Sequence, residues 1–281
     1  MEGRIVCWFS HGVASAVATK IAIQEHKGDE ELVVATIFIE DEHPDNERFR
    51  RECEAWFGQE IIELRSDKYN ASVDDVIAKT RYMSGPSGAR CTKELKKQVR
   101  LDWQRHDDVH VFGMTVEEEH RIDRLHDNEN EIRTWSPLIE QGLTKKDCFP
   151  ILADAGIEVP MMYRLGFANN NCAGCLKATG AGYWNRTREV MPEVYAKRAR
   201  QEQLLGVSLI KLAKRKFLKH HPEVYEAILK EEKETGKNIL KESGGTIRMP
   251  LRFLPEGYGS LKSMIVPDCG FFCASDDVVV D

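Results

Sequence analysis

The amino-terminal stretch Ile5-Val-Cys-Trp-Phe-Ser-His-Gly-Val-Ala-Ser-Ala-Val17 joins an apolar run to a small-residue turn. Residues 5–9 predict a buried strand, and residues 15–25 predict the helix that follows it. Such a turn points successive backbone N–H groups and the positive helix end at one place, which suits a phosphate or a sulfate. The turn matches neither GxxxxGK(S/T) nor GxGxxG, so a plain strand-to-helix connection is the alternative.

The rest of the first half repeats this alternation of short β-rich runs and helical patterns, which is typical of βαβ units. We therefore predict an α/β fold with a doubly wound, mostly parallel sheet over residues 1–200. A charged helical extension and a cysteine-bearing tail follow over residues 201–281, with a continuous helical pattern across 192–241. Further strands are predicted at 32–39, 61–64, 109–112 and 133–135, and further helices at 47–57, 73–83, 92–103 and 144–156.

Composition limits the class of protein. The 281 residues include 42% hydrophobic and 31% charged side chains, which is a globular balance and not that of a disordered chain. No apolar run approaches the roughly eighteen residues of a membrane span, and the amino-terminal apolar run is too short for a signal peptide. We expect a cytoplasmic protein without a membrane partner.

Charge is unevenly distributed along the chain. There are 40 Lys and Arg against 46 Asp and Glu, a net charge of −6, which disfavours non-specific nucleic-acid binding. Residues 197–221 nevertheless contain eight basic residues and one Glu. This segment forms either a nucleic-acid contact or a solvated helix face.

The first turn resembles the PP-loop of the adenine-nucleotide alpha-hydrolase-like superfamily. It is closer to the variant of sulfonucleotide reductases, because Ala14 stands where ATP pyrophosphatases carry Asp. Looser motifs follow in the order found in phosphoadenylyl-sulfate (PAPS) reductases, at residues 40–49, 113–121, 135–147 and 160–175. The resemblance implies nucleotide contacts from Ser10, His11, Gly12, Val13, Ala14, Ser15, Glu40, Asp41, His43, Gly113 and Arg121.

Three cysteines extend the resemblance to adenylyl-sulfate (APS) reductases. Cys91 lies in an R-x-C-T-x-x-L-K-like element, and Cys172-Ala-Gly-Cys175 forms a CxxC downstream. One CxxC turn can present two thiolates to one metal centre. The resemblance implies a [4Fe–4S] cluster on Cys91, Cys172 and Cys175; zinc is the alternative. The fourth ligand stays open between Cys273, Cys269, a substrate sulfur and none.

The carboxyl-terminal Asp268-Cys-Gly270 resembles the tail whose cysteine attacks the sulfate sulfur in those reductases. The resemblance implies Cys269 as nucleophile and a thioredoxin-like protein as reductant, and His11 is a candidate phosphate contact or acid. Phe272 replaces the family's final His, and Cys273 creates a CxxxC. A metal-ligand pair, an internal dithiol and two buried packing cysteines therefore stay open.

The resemblance favours a PAPS/APS reductase-like enzyme acting on an adenine nucleotide (ATP, APS or PAPS). One alternative is an ATP-dependent PP-loop sulfurtransferase that thiolates RNA or DNA. Another is a non-catalytic nucleotide- or redox-sensing protein. The carboxylates of residues 117–119 are a charge run or a magnesium site. Cys7, Cys53 and Cys148 lie in apolar patterns and are expected in the core.

Overall fold

The computed structural model describes residues 3–26, 31–85 and 88–266. Within these ranges the chain forms two compact units: unit 1 comprises residues 3–75 and 91–164, and unit 2 comprises residues 76–90 and 165–266. The boundary predicted at residue 200 falls inside unit 2, and the CxxC belongs to unit 2. Cys269 and Cys273 lie outside the described residues. In the described ranges, no helix has the length and apolarity needed to cross a membrane.

Unit 1 is built on a five-stranded sheet in the order β3-β2-β1-β6-β7, in which every neighbouring pair is parallel. Ile5 in the central strand pairs with Leu32 on one side and with Val109 on the other. This sheet confirms the predicted α/β fold with a doubly wound parallel sheet. The strands are β1 (Ile5–Trp8), β2 (Leu32–Ile37), β3 (Ile61–Leu64), β6 (Val109–Val111) and β7 (Arg133–Trp135).

Both faces of the sheet are covered, which explains why β1 reads as an uninterrupted apolar run. All four of its residues are buried. Cys7 packs in a core cluster with residues of the first two helices, whereas the ring of Trp8 lies 5.7 Å from the ring of Trp103. Cys7, Cys53 and Cys148 are all buried, as predicted.

The predicted helices of unit 1 form with one local exception, and the structure adds helices at Glu119–Asn128, Pro137–Glu140 and Met161–Arg164 that are absent from the prediction. Thr144 and Asp147 form a capping box at the start of the predicted helix 144–156. The segment predicted as one helix at 92–103 begins instead as a π-helix, Thr92–Lys97, and continues as α4. The α-helices are α1 (Val13–Glu25), α2 (Asn46–Phe57), α3 (Val73–Thr80, which continues into unit 2), α4 (Gln98–Trp103), α5 (Glu119–Asn128), α6 (Pro137–Glu140), α7 (Lys145–Asp154) and α8 (Met161–Arg164).

Unit 2 combines helices with small antiparallel sheets. The prediction of a continuous helical pattern across 192–241 is wrong at Ile210–Ala213, which forms strand β8 because its side chains alternate between buried and half-exposed. Its elements are β4 (Ser84–Gly85), β5 (Gly88–Ala89), α9 (Ala181–Val190), α10 (Pro192–Leu205), β8, α11 (Lys214–His220), α12 (Pro222–Thr235), β9 (Lys241–Ser243) and β10 (Thr246–Met249).

The strand order of unit 1 determines where a ligand fits. The chain winds from β1 through β2 to β3 in one direction, whereas β6 pairs with the other side of β1. This reversal creates a topological switch point between β1 and β6, and open α/β sheets bind ligands at the carboxyl ends of strands beside such a point. The loops after β1, β2 and β6 meet at that edge.

Candidate functional site

The loop after β1 is closed by a serine hydroxyl and leaves the start of α1 open. The Ser15 Oγ donates to the Gly12 carbonyl at 2.9 Å and accepts from the Ser10 N–H at 3.1 Å. Gly12 is the N-cap of α1, and no side chain caps it. The first N–H groups of a helix have no acceptor within the helix. The loop of residues 10–15 therefore leaves the backbone N–H groups at the start of α1 without side-chain acceptors, while the side chains of Val13 and Ala14 are buried in the core.

Gly113, after β6, lies directly against this loop. A Cβ atom at Gly113 would lie 2.5 Å from both the backbone nitrogen and the Cα of Ser15. Real Cβ atoms do not approach backbone this closely, so a larger residue would push the loop away. The absence of a side chain at Gly113 therefore allows its backbone to pack directly against the backbone of the loop.

His11 occupies an unusual backbone conformation at the start of the loop. Its φ is +59°, in the left-handed region that non-glycine residues rarely adopt. The ring is buried, with Nδ1 3.2 Å from Glu42 Oε2 and Nε2 3.4 Å from Thr36 Oγ1. Glu42 and Thr36 therefore fix the orientation of the imidazole. Strained backbone conformations of this kind cost of order 1–3 kcal/mol and cluster at functional sites.

Glu42 connects His11 to a second cation. Besides His11, its carboxylate lies 3.2 Å from the ammonium of Lys96 and accepts a 2.9 Å hydrogen bond from the Asn46 amide. Burial alone raises the pKa of Glu42, but Lys96 and His11 outweigh burial and lower the pKa to about 2. The carboxylate is ionised at neutral pH and holds both side chains in place.

Glu42 and Asn46 are absent from the predicted site residues, whereas for Lys96 the sequence leaves open a contact with an anionic nucleotide or a solvated helix face. Glu42 lies within the stretch 40–49 that carries the family resemblance, between predicted residues Asp41 and His43. Lys96 belongs to a basic helix that is equally typical of a solvated face. In the structure only 7% of Lys96 is exposed. This burial distinguishes a site residue from a lysine on a solvated helix face, and the sequence alone does not reveal it.

Several predicted nucleotide contacts have structural partners of their own. The Asp41 carboxylate accepts a 2.7 Å hydrogen bond from the Val73 N–H, and His43 Nδ1 accepts from the Asp45 N–H at 3.1 Å. Glu40 is exposed, and the buried Arg121 pairs with Glu118. These contacts stabilise the loops at the edge, and the nucleotide role of these residues stays a prediction.

Cys91 belongs to unit 1 and lies at the amino end of the π-helix that carries Lys96. Its side chain is half-buried. A π-helix bonds each N–H to the carbonyl five residues earlier, so Cys91 and Lys96 lie about one turn apart on the same side of this helix. π-Helices are rare and frequently mark functional sites.

The CxxC turn of unit 2 is held open by a buried phenol. The Tyr183 hydroxyl accepts a 2.8 Å hydrogen bond from the Cys175 N–H and donates to the Cys172 carbonyl at 3.4 Å. A tight turn usually joins those two backbone groups directly. Here the hydroxyl lies between them, and burial raises the pKa of Tyr183 well above its ordinary value.

Arg198 supports the same turn from α10. It is fully buried, and its Nε donates to the Gly174 carbonyl at 3.2 Å. Gly174 has a φ of +66°, and a Cβ there would lie 2.6 Å from Val194 Cγ1. Glycine is therefore required between the two cysteines, which are themselves buried.

The cysteines predicted as metal ligands belong to both units. Cys172 and Cys175 share one turn in unit 2, and Cys91 belongs to unit 1. Among the described residues, no three His, Cys, Asp or Glu side chains form a group able to hold a metal ion. The carboxylate of Glu117, a candidate for magnesium, accepts hydrogen bonds from Thr115 and from the Lys145 N–H. The cluster and magnesium roles of these residues stay predictions.

Comparisons with known proteins add little to this geometry. No protein-family model matches the chain, and no curated protein matches it. A similar solved structure is the U34-tRNA thiolase NcsA from Methanococcus maripaludis with its [4Fe–4S] cluster. It is 11% identical, with a TM-score of 0.40, and the match covers 94% of this chain and 80% of that chain. Neither value is high enough to transfer a function.

Proposed function

We propose that the protein is an enzyme of sulfur chemistry that binds an adenine nucleotide through its phosphates at the loop of residues 10–15. The observation that carries the proposal is the uncapped start of α1 at the switch point, beside His11 and Lys96, which Glu42 holds together. Backbone N–H groups, a helix N-terminus and cations are the features that bind phosphate in proteins.

Each residue has a distinct role in this proposal. The N–H groups of Gly12, Val13 and Ala14 receive phosphate oxygens, and Ser15 keeps the loop closed around them. Lys96 supplies positive charge near the phosphates. The first turn of α1 contains no acidic residue, so no carboxylate repels an anion there.

The position of Cys91 favours an adenylating sulfurtransferase. A half-buried thiol begins the helix that supplies Lys96 within the nucleotide-binding unit. In such a reaction an acceptor oxygen attacks the α-phosphorus of ATP, and pyrophosphate leaves. A sulfur nucleophile then attacks the activated carbon, and AMP leaves with the oxygen.

A sulfonucleotide reductase is the second candidate. The observation in its favour is the missing acid in the first turn of α1, where Ala14 replaces the Asp of ATP pyrophosphatases. This mechanism needs Cys269 as nucleophile, and Cys269 lies outside the described residues. A [4Fe–4S] cluster or zinc on the predicted cysteines stays a prediction for both candidates.

Nucleotide binding is tested by calorimetric titration of ATP, APS and PAPS into the wild type, Lys96→Gln and Lys93→Gln. Lys93 is exposed on the same helix and is the matched control. We expect Lys96→Gln to weaken binding at least tenfold, because one charge-assisted contact is lost, and Lys93→Gln to change it little. Equal binding by all three proteins would contradict the proposed site.

Product analysis separates the two reactions. Pyrophosphate release from ATP in the presence of an RNA or DNA acceptor identifies the sulfurtransferase, whereas sulfite release from APS or PAPS with a thioredoxin-like reductant identifies the reductase. Binding without either product would identify a nucleotide-sensing protein. For a nucleotide-sensing protein we expect Cys91→Ser to bind nucleotide with the same affinity as the wild type.

A further inference from the structure

A row of three cations crosses the three-stranded sheet of unit 2. This sheet has the order β8-β10-β9. In its register, Arg248 of β10 pairs with Lys211 of β8 on one side and with Lys241 of β9 on the other. Because directly paired residues point to the same face of a sheet, the three side chains form one row. With strands about 4.8 Å apart, this row spans roughly 10 Å.

The row lies on the solvent side of the sheet. The neighbouring side chains Ile210, Leu212 and Met249 are buried on the opposite face. Lys211 and Arg248 are half-exposed, and Lys241 is exposed. The alternation of burial along β8 and β10 therefore places the cations where a partner can reach them.

Such a row destabilises the isolated protein, since like charges directly opposite one another on a sheet repel. No ion pair with a carboxylate joins Lys211, Arg248 or Lys241 within residues 3–26, 31–85 and 88–266. The carboxylate next to Lys241, that of Glu242, is bonded instead to Lys214. Partial burial lowers the pKa of Arg248, as expected for a cation without a carboxylate partner.

More basic residues continue from the end of β8. Helix α11 follows this strand directly and carries the exposed side chains of Arg215, Lys216 and Lys219. In contrast, Arg198, which belongs to the basic segment 197–221, is fully buried and cannot contribute to a surface. The surface of positive charge thus consists of the sheet row and the exposed face of α11.

We propose that this surface, formed by Lys211, Arg248, Lys241 and the exposed cations of α11, binds the phosphate backbone of a nucleic acid. A run of cations about 10 Å long matches several phosphates along a strand better than one isolated phosphate. Lys and Arg contacts to phosphates supply affinity without reading sequence. Ala213 and Thr246, which lie beside the row, are too small to insert into a lipid bilayer. The inference goes beyond the proposed nucleotide-dependent activity and does not depend on it.

The test is fluorescence anisotropy with a labelled single-stranded RNA, a DNA of the same sequence and an RNA hairpin. It compares the wild type with the triple variant Lys211→Gln, Arg248→Gln, Lys241→Gln. The matched control removes the same charge from exposed positions of α12 and its end, with Lys230→Gln, Lys233→Gln and Lys237→Gln. Each binding curve is repeated between about 50 and 200 mM salt.

We expect the triple variant to bind nucleic acid about tenfold or more weakly than the wild type. The slope of log K against log salt should fall by about 2 for a single strand, since three phosphate contacts are lost. The control should change neither quantity by as much. Because the variant removes repulsion, its melting temperature should equal or exceed that of the wild type, so reduced binding would not result from unfolding.

Three results would overturn the proposal. The first is wild-type protein that binds none of the nucleic acids at the lowest salt. The second is equal loss in the triple variant and in the control, which would mean that net charge alone matters. The third is binding to phosphatidylserine vesicles in place of nucleic acid, which would identify a membrane surface.

Discussion

Unit 1 satisfies its buried charges with opposite charges, whereas unit 2 satisfies them with main-chain groups. In unit 1 the Arg4 guanidinium binds both carboxylate oxygens of Asp108, at 2.9 and 2.8 Å. Arg100 Nη2 donates to both oxygens of Glu129, at 2.8 and 2.7 Å. Charge-assisted hydrogen bonds are roughly twice as strong as those between neutral groups.

In unit 2 the carboxyl group of Glu202 accepts from the backbone N–H groups of Leu209 and Leu251, at 2.5 and 2.7 Å. Burial raises the pKa of Glu202 to about 8, against the effect of those two donors. Arg198 likewise donates to the carbonyl of Gly174.

The difference follows from the architecture of each unit. In unit 1 the parallel sheet and its helices satisfy most backbone groups internally, so buried side chains bond to one another. Unit 2 contains long irregular segments whose backbone groups must find partners when buried. Its buried charged side chains provide those partners. Replacing a buried charged residue should therefore leave its oppositely charged partner unpaired in unit 1. In unit 2 the same kind of substitution should leave backbone groups of a loop without a hydrogen-bond partner.

The largest expected effect is that of Glu42→Gln in unit 1. The variant leaves Lys96 buried without its carboxylate, and removing one member of a buried pair costs about 3–5 kcal/mol. Denaturant unfolding measures this loss. Glu47→Gln, which breaks half-exposed pairs with Arg50 and Arg51, should cost less than about 1 kcal/mol. Equal losses of unfolding free energy in the two variants would contradict the claim that buried charge pairs stabilise unit 1.

A pH dependence follows from His110, whose Nδ1 accepts the Trp8 indole N–H at 2.9 Å. Burial, followed by nearby Arg100, lowers the pKa of His110 to about 4. Between pH 6.5 and 4 the unfolded chain therefore binds a proton that the folded chain does not. The free energy of unfolding should fall as the pH drops through this window, by about 3 kcal/mol at pH 4.

His110→Gln is the matched variant for this pH effect, since its amide oxygen can accept the same indole hydrogen bond and does not titrate. The difference in unfolding free energy between wild type and variant, measured from pH 7 to pH 4, isolates the histidine. A difference that stays constant across this range would show that His110 titrates normally.

Two glycines sharpen the comparison between the units. The Cβ added by Gly113→Ala would meet the backbone of Ser15, which cannot move without the loop, whereas that of Gly174→Ala would meet the Val194 side chain. We expect about 1–3 kcal/mol of destabilisation for Gly113→Ala and a smaller loss for Gly174→Ala, measured by thermal unfolding. Gly12→Ala, whose Cβ has no neighbour closer than 3.7 Å, is the control and should unfold like the wild type.

The smallest effect is expected for Tyr183→Phe in unit 2. The variant keeps the ring but removes the hydroxyl between Cys172 and Cys175, which should cost about 1 kcal/mol. The freed turn should also expose its thiols, so that a small alkylating reagent modifies both cysteines faster, as measured by mass spectrometry. Cys148, buried in unit 1, provides the internal reference. Unchanged rates for the CxxC would show that the phenol does not hold the turn.

The strands of unit 1 were the most predictable part of the fold. The predicted limits of 61–64 and 133–135 coincide with β3 and β7, because continuous apolar or β-rich runs between turn residues are a local signal. Strand β8 was missed because four residues of period-2 pattern lie between two charged helices. The π-helix was also missed, since its residues have an ordinary helical composition.

The candidate site was only partly predictable for a different reason. The loop of residues 10–15 is contiguous, so its sequence alone is enough to pose the choice between an anion-binding turn and a plain strand-to-helix connection. The network around Glu42 joins residues from the loops after β1 and β2, from α2 and from the π-helix. Residues from four separate segments come together there only through tertiary packing, and no local sequence pattern predicts their contacts.

The π-helix of Thr92–Lys97 also makes this region tolerant of a one-residue deletion. A π-helix accommodates one more residue in a turn than an α-helix would. Deleting a single residue between Cys91 and Lys96 would allow an ordinary α-helix to form at little cost in backbone bonding. After the deletion the two residues would be four apart, and residues four apart lie on one face of an α-helix, so Cys91 would stay on the side that carries Lys96. A one-codon deletion would thus shorten the chain while keeping the thiol and the ammonium on one face of the helix.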